Sequence, residues 1–192
     1  MKIHNLTPNQ VTQIYRKYMK NDFPASELKP LAMILQAMES DIYDCLAISD
    51  GHKNLLGYAF FTRNGKDYLL DYFATVKELR NNGIGSDILK LLSEYYTNAD
   101  SVIGEVENPE FATNEADRTL QTRRMNFYLR NGFRLTGVKV ILFGVPFLII
   151  ETGPNAGHTP DEIRALYRMH YQTILPPESY QKHVRIKEAG EC

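Results

Sequence analysis

One connection in this 192-residue chain forces two strands to run parallel, and it narrows the available folds more than any other feature. The apolar stretch Asp67–Thr75 leads through a turn into a helical pattern over about residues 83–96. That helix carries Ile84, Ile88, Leu91, Leu92 and Tyr95 on its inner face, and the apolar run Val102–Glu107 follows it. Strand, amphipathic helix and strand in this order read as a crossover unit, which a sheet accepts in one handedness.

The remaining elements arrange themselves around that unit. Residues 2–6 suit a short first strand. Thr7, Pro8 and Gln10 spell a capping box with proline at the first helical position, and Val11, Ile14, Tyr15 and Tyr18 give that helix an apolar face. A turn over Asn21–Lys29 precedes a second helix from Pro30 to about Glu39. Strands follow at Ile42–Ile48, Leu55–Thr62 and Asp67–Thr75, the last two joined at Asn64-Gly65, a strong hairpin signal. A fourth helix runs from about Asp117 to Asn131 and stops at Gly132. Strands at Arg134–Phe143 and Val145–Thr152 close a second hairpin. The order is β-α-α-β-β-β-α-β-α-β-β, an α/β fold with a mixed sheet. Residues 1–152 read as its domain. Residues 153–192 read as a helical extension packed on it, with a helix over Asp161–Thr173 showing Ile163, Leu166, Tyr167 and Tyr171 on one face.

Composition excludes several function classes. A formal net charge of -1 provides no basic field for nucleic acid. The longest apolar run, Val140–Ile150, is too short for a membrane span and is broken by Gly144 and Pro146. MKIHNLTPNQ has no apolar signal core, so a cytoplasmic protein is expected. Cys45 and Cys192 make no disulfide framework, and Cys45 reads as a small core residue. The five histidines are scattered without metal-ligand spacing, so no metal is expected.

The chemistry concentrates in Arg80-Asn81-Asn82-Gly83-Ile84-Gly85-Ser86, where a strand ends and a helix begins. Two glycines let the backbone curl and a ligand approach, and the first N–H groups of a helix lack intrahelical partners. With the helix dipole they form a natural pyrophosphate site. No Gly-Lys-Ser/Thr follows, which excludes a P-loop. The third glycine and acidic ribose binder of a dinucleotide fold are also missing.

This turn resembles the Arg/Gln-x-x-Gly-x-Gly/Ala signature of the GNAT acetyltransferases, matched by Arg80, Gly83 and Gly85. Phe127-Tyr128-Leu129-Arg130-Asn131-Gly132-Phe133 is similar to the family's second landmark, and the element order agrees over residues 1–152. The resemblance implies acetyl-CoA as co-substrate. Backbone amides of residues 80–86 would hold its pyrophosphate, and main-chain groups of Phe73, Ala74 and Thr75 would pair with pantetheine as an added strand. The Phe73 amide would face the thioester oxygen.

The resemblance also makes Tyr128 the general acid that protonates the leaving thiolate. For the base, Glu105 and Glu107 stand two residues apart on one strand face. Carboxylates in a covered strand need partners, Arg123 or Arg124 among them, or must line a cleft. Asp71 is the second choice. The family's usual Asn and Ala before the Phe-Tyr pair are Gln121 and Arg124 here, and Glu110–Asp117 is an acidic insertion. Arg123, Arg124 and Arg130 are candidates to reach the CoA phosphates. By resemblance the acceptor pocket involves Asn21-Asp22-Phe23-Pro24, Met33, Tyr43, Phe143 and Phe147.

The expected activity is acetyl transfer to a primary amine of a small molecule or peptide, by a monomer or homodimer with neither nucleic-acid nor membrane partners. The alternative is a non-catalytic acyl-CoA-binding sensor of the same fold.

Overall fold

The computed structural model describes residues 1–187, so Cys192 lies outside the described residues. The chain forms two compact units, one of Met1–Asn64 with Leu70–Thr97, the other of Gly65–Leu69 with the residues from Asn98 onward.

The first unit holds β1 (Lys2–Asn5), α1 (Pro8–Ile14), α2 (Lys20–Asp22), α3 (Leu31–Glu39), β2 (Tyr43–Ser49), β3 (Leu55–Asn64), the part of β4 (Asp67–Thr75) from Leu70 onward, and α4 (Ile84–Tyr95). Its strands lie in the order β1-β2-β3-β4, with β1/β2 and β2/β3 antiparallel and Tyr43 opposite Thr62. Thr7 caps α1 through the expected box: its hydroxyl accepts the Gln10 N–H, and the Gln10 side chain accepts the Thr7 N–H at 2.9 Å. The first helix is nonetheless irregular. Tyr15–Met19 is a π-helical turn joining α1 to α2. Met19 enters the core there with Val11, Ile14 and Tyr15, whereas Tyr18 stays half-buried. Phe60 anchors the aromatic core, its ring 6.2 Å from Tyr43, 5.8 Å from Tyr58 and 6.4 Å from Tyr72. Cys45 is buried in this unit, and burial raises its thiol well above the usual range.

The second unit holds β5 (Ser101–Glu107), α5 (Glu115–Arg130), β6 (Arg134–Leu142), β7 (Val145–Thr152), α6 (Pro160–Ile174), α7 (Pro177–His183) and β8 (Val184–Ile186). Its strand order is β5-β7-β6-β8, antiparallel throughout, with Glu105 opposite Ile149 and Glu107 opposite Phe147. A bulge at Gly137 interrupts β6. The Thr136 hydroxyl repairs the ladder, donating to the Ile149 carbonyl at 2.8 Å and accepting the Val138 N–H at 3.2 Å. Glu151 is fully buried and bound by the Arg134 guanidinium, by the His158 ring and by the Gly157 N–H at 3.1 Å, which pins the segment after β7. Thr159 and Glu162 box the start of α6, which buries Ile163, Tyr167, His170 and Tyr171.

Apart from the π turn in the first helix, the order of elements along the chain and their boundaries agree closely with the sequence pattern up to Thr152. Beyond α6 they do not. A seven-residue helix and a three-residue strand are too short to leave a periodic trace, yet β8 pairs with β6. The His183 carbonyl accepts the Phe143 N–H at 2.9 Å, and the two rings stack 4.6 Å apart, so the tail secures the β6–β7 turn.

Candidate active site

In the first unit, β4 ends at Thr75 and a 3₁₀ turn, Lys77–Leu79, carries the chain to Arg80. Asn81 and Gly83 then take left-handed conformations, φ 67° and 81°, and Gly83 is the N-cap of α4. The helices beginning after Thr7, Asn114 and Thr159 are capped by those side chains, but no side chain caps α4. Its leading N–H groups are therefore oriented outward with the positive end of the dipole. A Cβ built on Gly83 meets nothing within 4 Å, so the glycine serves the backbone conformation and the space above it is open. This combination suits a phosphate group.

The side chain of Arg80 turns inward from that loop. Its Nε donates to the Thr75 carbonyl at 3.2 Å, and its guanidinium pairs with Asp22, which also accepts the Tyr58 hydroxyl at 2.8 Å. Burial, followed by the bond to Asp22, raises the Tyr58 hydroxyl far above its ordinary range. Phe73, Ala74 and Thr75 are half-buried on β4. Gly57 lets this strand end lie close: a Cβ there would fall 2.7 Å from the Ala74 carbonyl oxygen and 2.8 Å from Ile88 Cδ1. Among the main-chain groups expected to pair with pantetheine, the Thr75 carbonyl already has a donor in Arg80.

Asp71, the second choice of base, sits in a closed network. Its carboxylate binds Lys29 Nζ at 2.6 Å and the Tyr43 hydroxyl, with the Lys29 and Asp71 side chains only 5% and 3% exposed. Burial and then the Asp71 charge raise the Tyr43 hydroxyl well above its usual value. An ion-paired carboxylate this enclosed is poorly suited to take a proton from a substrate.

In the second unit, β5 is buried along its length except at Glu105 and Glu107, which share a face as their spacing predicts. Glu107 pairs with Arg124 of α5, one of the two arginines anticipated for it. Glu105 Oε1 accepts the hydroxyls of Tyr167 at 2.5 Å and Tyr171 at 2.9 Å, both from α6. The sequence pattern offered those tyrosines only as an apolar face; no local signal reveals a hydroxyl's distant partner.

Tyr128 lies in the last turn of α5, half-buried, with its ring edge-on to Phe127 at 5.3 Å and Phe133 at 5.2 Å. Gly132, at φ 88°, ends the helix, and the Phe133 N–H returns to the Tyr128 carbonyl at 3.2 Å. Burial pushes the Tyr128 hydroxyl up to about 12 against the opposing charge of Arg124. Arg124 thus acts on two candidates at once, pairing with Glu107 and biasing Tyr128 one turn away. Gln121 Oε1, on the same helix, is buried without a hydrogen-bond partner, an acceptor that a ligand amide could satisfy. Arg130 lies over the Phe127 ring at 5.2 Å, and Arg123 is exposed. Among the described residues no three His, Cys, Asp or Glu side chains are grouped to hold a metal, and no helix is long and apolar enough to cross a membrane.

No protein-family model matches the chain, and no curated protein does. Solved structures match well. A protein from Bacteroides thetaiotaomicron assigned to the GNAT acetyltransferases superimposes with a TM-score of 0.72 at 22% identity, over 91% of this chain and 98% of that one. Spermidine N-acetyltransferase from Vibrio cholerae, solved with CoA and spermine, gives 0.59 at 11% identity over 78% of this chain and 93% of that one. The ribosomal-protein-S18-alanine N-acetyltransferase from Escherichia coli gives 0.55 at 15% identity over 79% and 92%. The chain has the fold of the GNAT acetyltransferases.

Proposed function

We propose that this protein transfers acetyl from acetyl-CoA to a primary amine by direct attack. The observation that carries this reading is the uncapped start of α4 behind left-handed Gly83, in a fold shared with a structure solved with CoA. Residues 1–152 form the catalytic part in this reading, and residues 153–192 are its extension. The protein would work in the cytoplasm as a monomer or homodimer.

The backbone amides of Asn81, Asn82, Gly83, Ile84 and Gly85 bind the pyrophosphate, flanked by Arg80 and Ser86, whose own N–H groups donate to the Lys77 carbonyl at 3.3 Å and the Gly83 carbonyl at 2.9 Å. Main-chain groups of Phe73, Ala74 and Thr75 hold pantetheine, and the Phe73 amide polarises the thioester. A primary amine with pKa about 10.4 is neutral in only about one molecule in two thousand at pH 7, a deficit of roughly 4.6 kcal/mol. A general base that takes up this proton, directly or through water, assists the attack, and Glu105 and Glu107 are the residues for it. Tyr128 is fully protonated at neutral pH. A thiol near 8.5 is more acidic than Tyr128 by about 3.5 units, roughly 4.8 kcal/mol. Tyr128 therefore acts by hydrogen-bonding the sulfur as the C–S bond breaks, and any proton it passes to the thiolate is restored by the proton that the attacking nitrogen sheds on becoming an amide.

The acceptor is a small molecule or a peptide amine; the spermidine and ribosomal-protein acetyltransferases among the similar structures illustrate both classes. Calorimetry with CoA, followed by thiol release from acetyl-CoA with a panel of polyamines, amino acids and peptides, tests the proposal. CoA binding with amine-dependent thiol release is expected. No binding at millimolar CoA would sink it, and binding without turnover across the panel would leave an acyl-CoA sensor instead.

A further inference from the structure

Arg80 divides neighbouring donors of one guanidinium between two partners. Its Nε donates to the Thr75 carbonyl at 3.2 Å, and its Nη2 pairs with the Asp22 carboxylate. A lysine ammonium could match the charge of Asp22. Only the planar fork of an arginine reaches a carboxylate and a backbone carbonyl from adjacent donors in fixed geometry. The same pair of donors is one with which a guanidinium grips a phosphate through two parallel N–H bonds. A phosphate that takes them displaces Asp22 and Thr75 together.

The two partners are not equally fixed. Thr75 ends β4, a strand of the sheet. Asp22 ends α2, a three-residue helix that follows the π turn Tyr15–Met19. Besides Arg80, its carboxylate accepts the Tyr58 hydroxyl at 2.8 Å. Tyr58 belongs to β3 and is fully buried, with the Phe60 ring 5.8 Å away, so it is the immobile member of this pair. The residue after Asp22, Phe23, leaves the helix in an extended conformation and sets its ring edge-on to Tyr72 at 4.9 Å. The Phe23 N–H donates to the Met19 carbonyl at 3.0 Å, which makes that amide a reporter of the end of α2.

An exchange of partners is accessible. The Arg80 side chain is 41% exposed, so an anion can meet its outer N–H groups before Asp22 is given up. Asp22 keeps the Tyr58 hydroxyl when the guanidinium leaves, so its carboxylate is not stranded without a donor. A partly exposed ion pair is also cheap to open.

We propose that Arg80 is a latch between the turn before α4 and the end of α2. A phosphate bound at that turn withdraws the guanidinium from Asp22 and Thr75, which loosens residues 21–23 and leaves the Thr75 carbonyl to pair with pantetheine. The proposal rests on the acetyltransferase reading for the source of the phosphate, the pyrophosphate of CoA. It stands on the shared guanidinium for the coupling, which carries donor binding to a residue 58 positions earlier in the chain. The direction of the effect is diagnostic. A ligand that only stabilises the fold slows amide exchange, whereas this one speeds it at the end of α2.

The test uses the full chain, labelled with 15N, and two probes, CoA and phosphate-free pantetheine. NMR follows the Arg80 Nε–H resonance, assigned by its loss in Arg80→Lys, and hydrogen exchange at the Phe23 amide. CoA should shift the Arg80 resonance and speed Phe23 exchange about two- to five-fold, the range for a partly exposed ion pair. Pantetheine should do neither. In Asp22→Asn the Phe23 amide should exchange faster from the outset, and CoA should add little. The wild-type comparison decides the outcome even if that variant folds poorly. CoA that binds by calorimetry but leaves Phe23 exchange unchanged or slower overturns the latch and leaves the acetyltransferase reading standing. An effect that pantetheine reproduces overturns it as well, since the phosphate would not be the trigger. No CoA binding at millimolar concentration overturns the acetyltransferase reading and the latch with it.

Discussion

The guanidinium of Arg80 pairs with the carboxylate of Asp22, 58 positions earlier in the chain, while its Nε holds the Thr75 carbonyl. One side chain therefore ties the end of α2, the end of β4 and the turn before α4 together. Arg80 is 41% exposed and Asp22 11%, so the pair is partly screened, but it turns the guanidinium toward Asp22.

Removing the charge of Asp22 while keeping its oxygen should release Arg80 toward an incoming phosphate. Asp22→Asn is accordingly expected to tighten CoA binding by roughly three-fold at low salt, within the range of a partly exposed pair. The gain should shrink at high ionic strength. Calorimetry at two salt concentrations checks it; weaker binding in the variant would show that Asp22 supports the loop more than it competes for Arg80.

Gly57 is required by close packing and not by an unusual backbone angle. In Gly57→Ala the new Cβ meets a backbone oxygen at 2.7 Å and Ile88 Cδ1 at 2.8 Å. Ile88 has some freedom to turn, but the carbonyl of Ala74 moves only with β4. A loss of about 1–3 kcal/mol in urea unfolding is expected, with weaker CoA binding. Wild-type stability and affinity together would contradict this account of the strand end.

Tyr128→Phe should lower kcat by about 10²-fold or more and leave CoA affinity nearly intact, because the ring packing against Phe127 and Phe133 survives. With its hydroxyl at about 12, Tyr128 should add no alkaline limb to the wild-type pH–rate profile below about pH 11. An unchanged kcat in the variant would remove Tyr128 from the chemistry.

Glu105→Gln and Glu107→Gln should differ. If Glu105 takes the proton, its amide variant loses the acidic limb of the kcat/KM profile, whereas Glu107→Gln mainly releases Arg124. Kinetics from pH 5 to 10 separate them, and two unaltered profiles would place the base elsewhere.

His170 should make the fold acid-sensitive. Burial lowers its folded pKa to about 4 from an unfolded value near 6.5. Between those values the unfolded chain binds the proton first, so stability present above pH 6.5 is lost as pH falls toward 4. The loss from this group reaches about 3 kcal/mol. Urea unfolding at stepped pH should show it, and His170→Asn should reduce the slope by up to one proton; an equal slope would exclude His170 as the source.

The sequence by itself determined what depends on residues a few positions apart. Capping at Thr7, the span of β4, the glycine at the start of α4, the shared face of Glu105 and Glu107 and the ending of α5 at Gly132 all follow from local sterics and periodicity. The tertiary structure alone decided the partners. Glu107 is 17 positions from Arg124, and Glu105 is 62 and 66 positions from Tyr167 and Tyr171. A carboxylate's chemistry depends on the charge of the group that meets it, and that meeting occurs only when β5, α5 and α6 pack. The same holds for Arg80 and Asp22, and for β8, a three-residue strand with too little pattern to be seen until β6 offers it an edge.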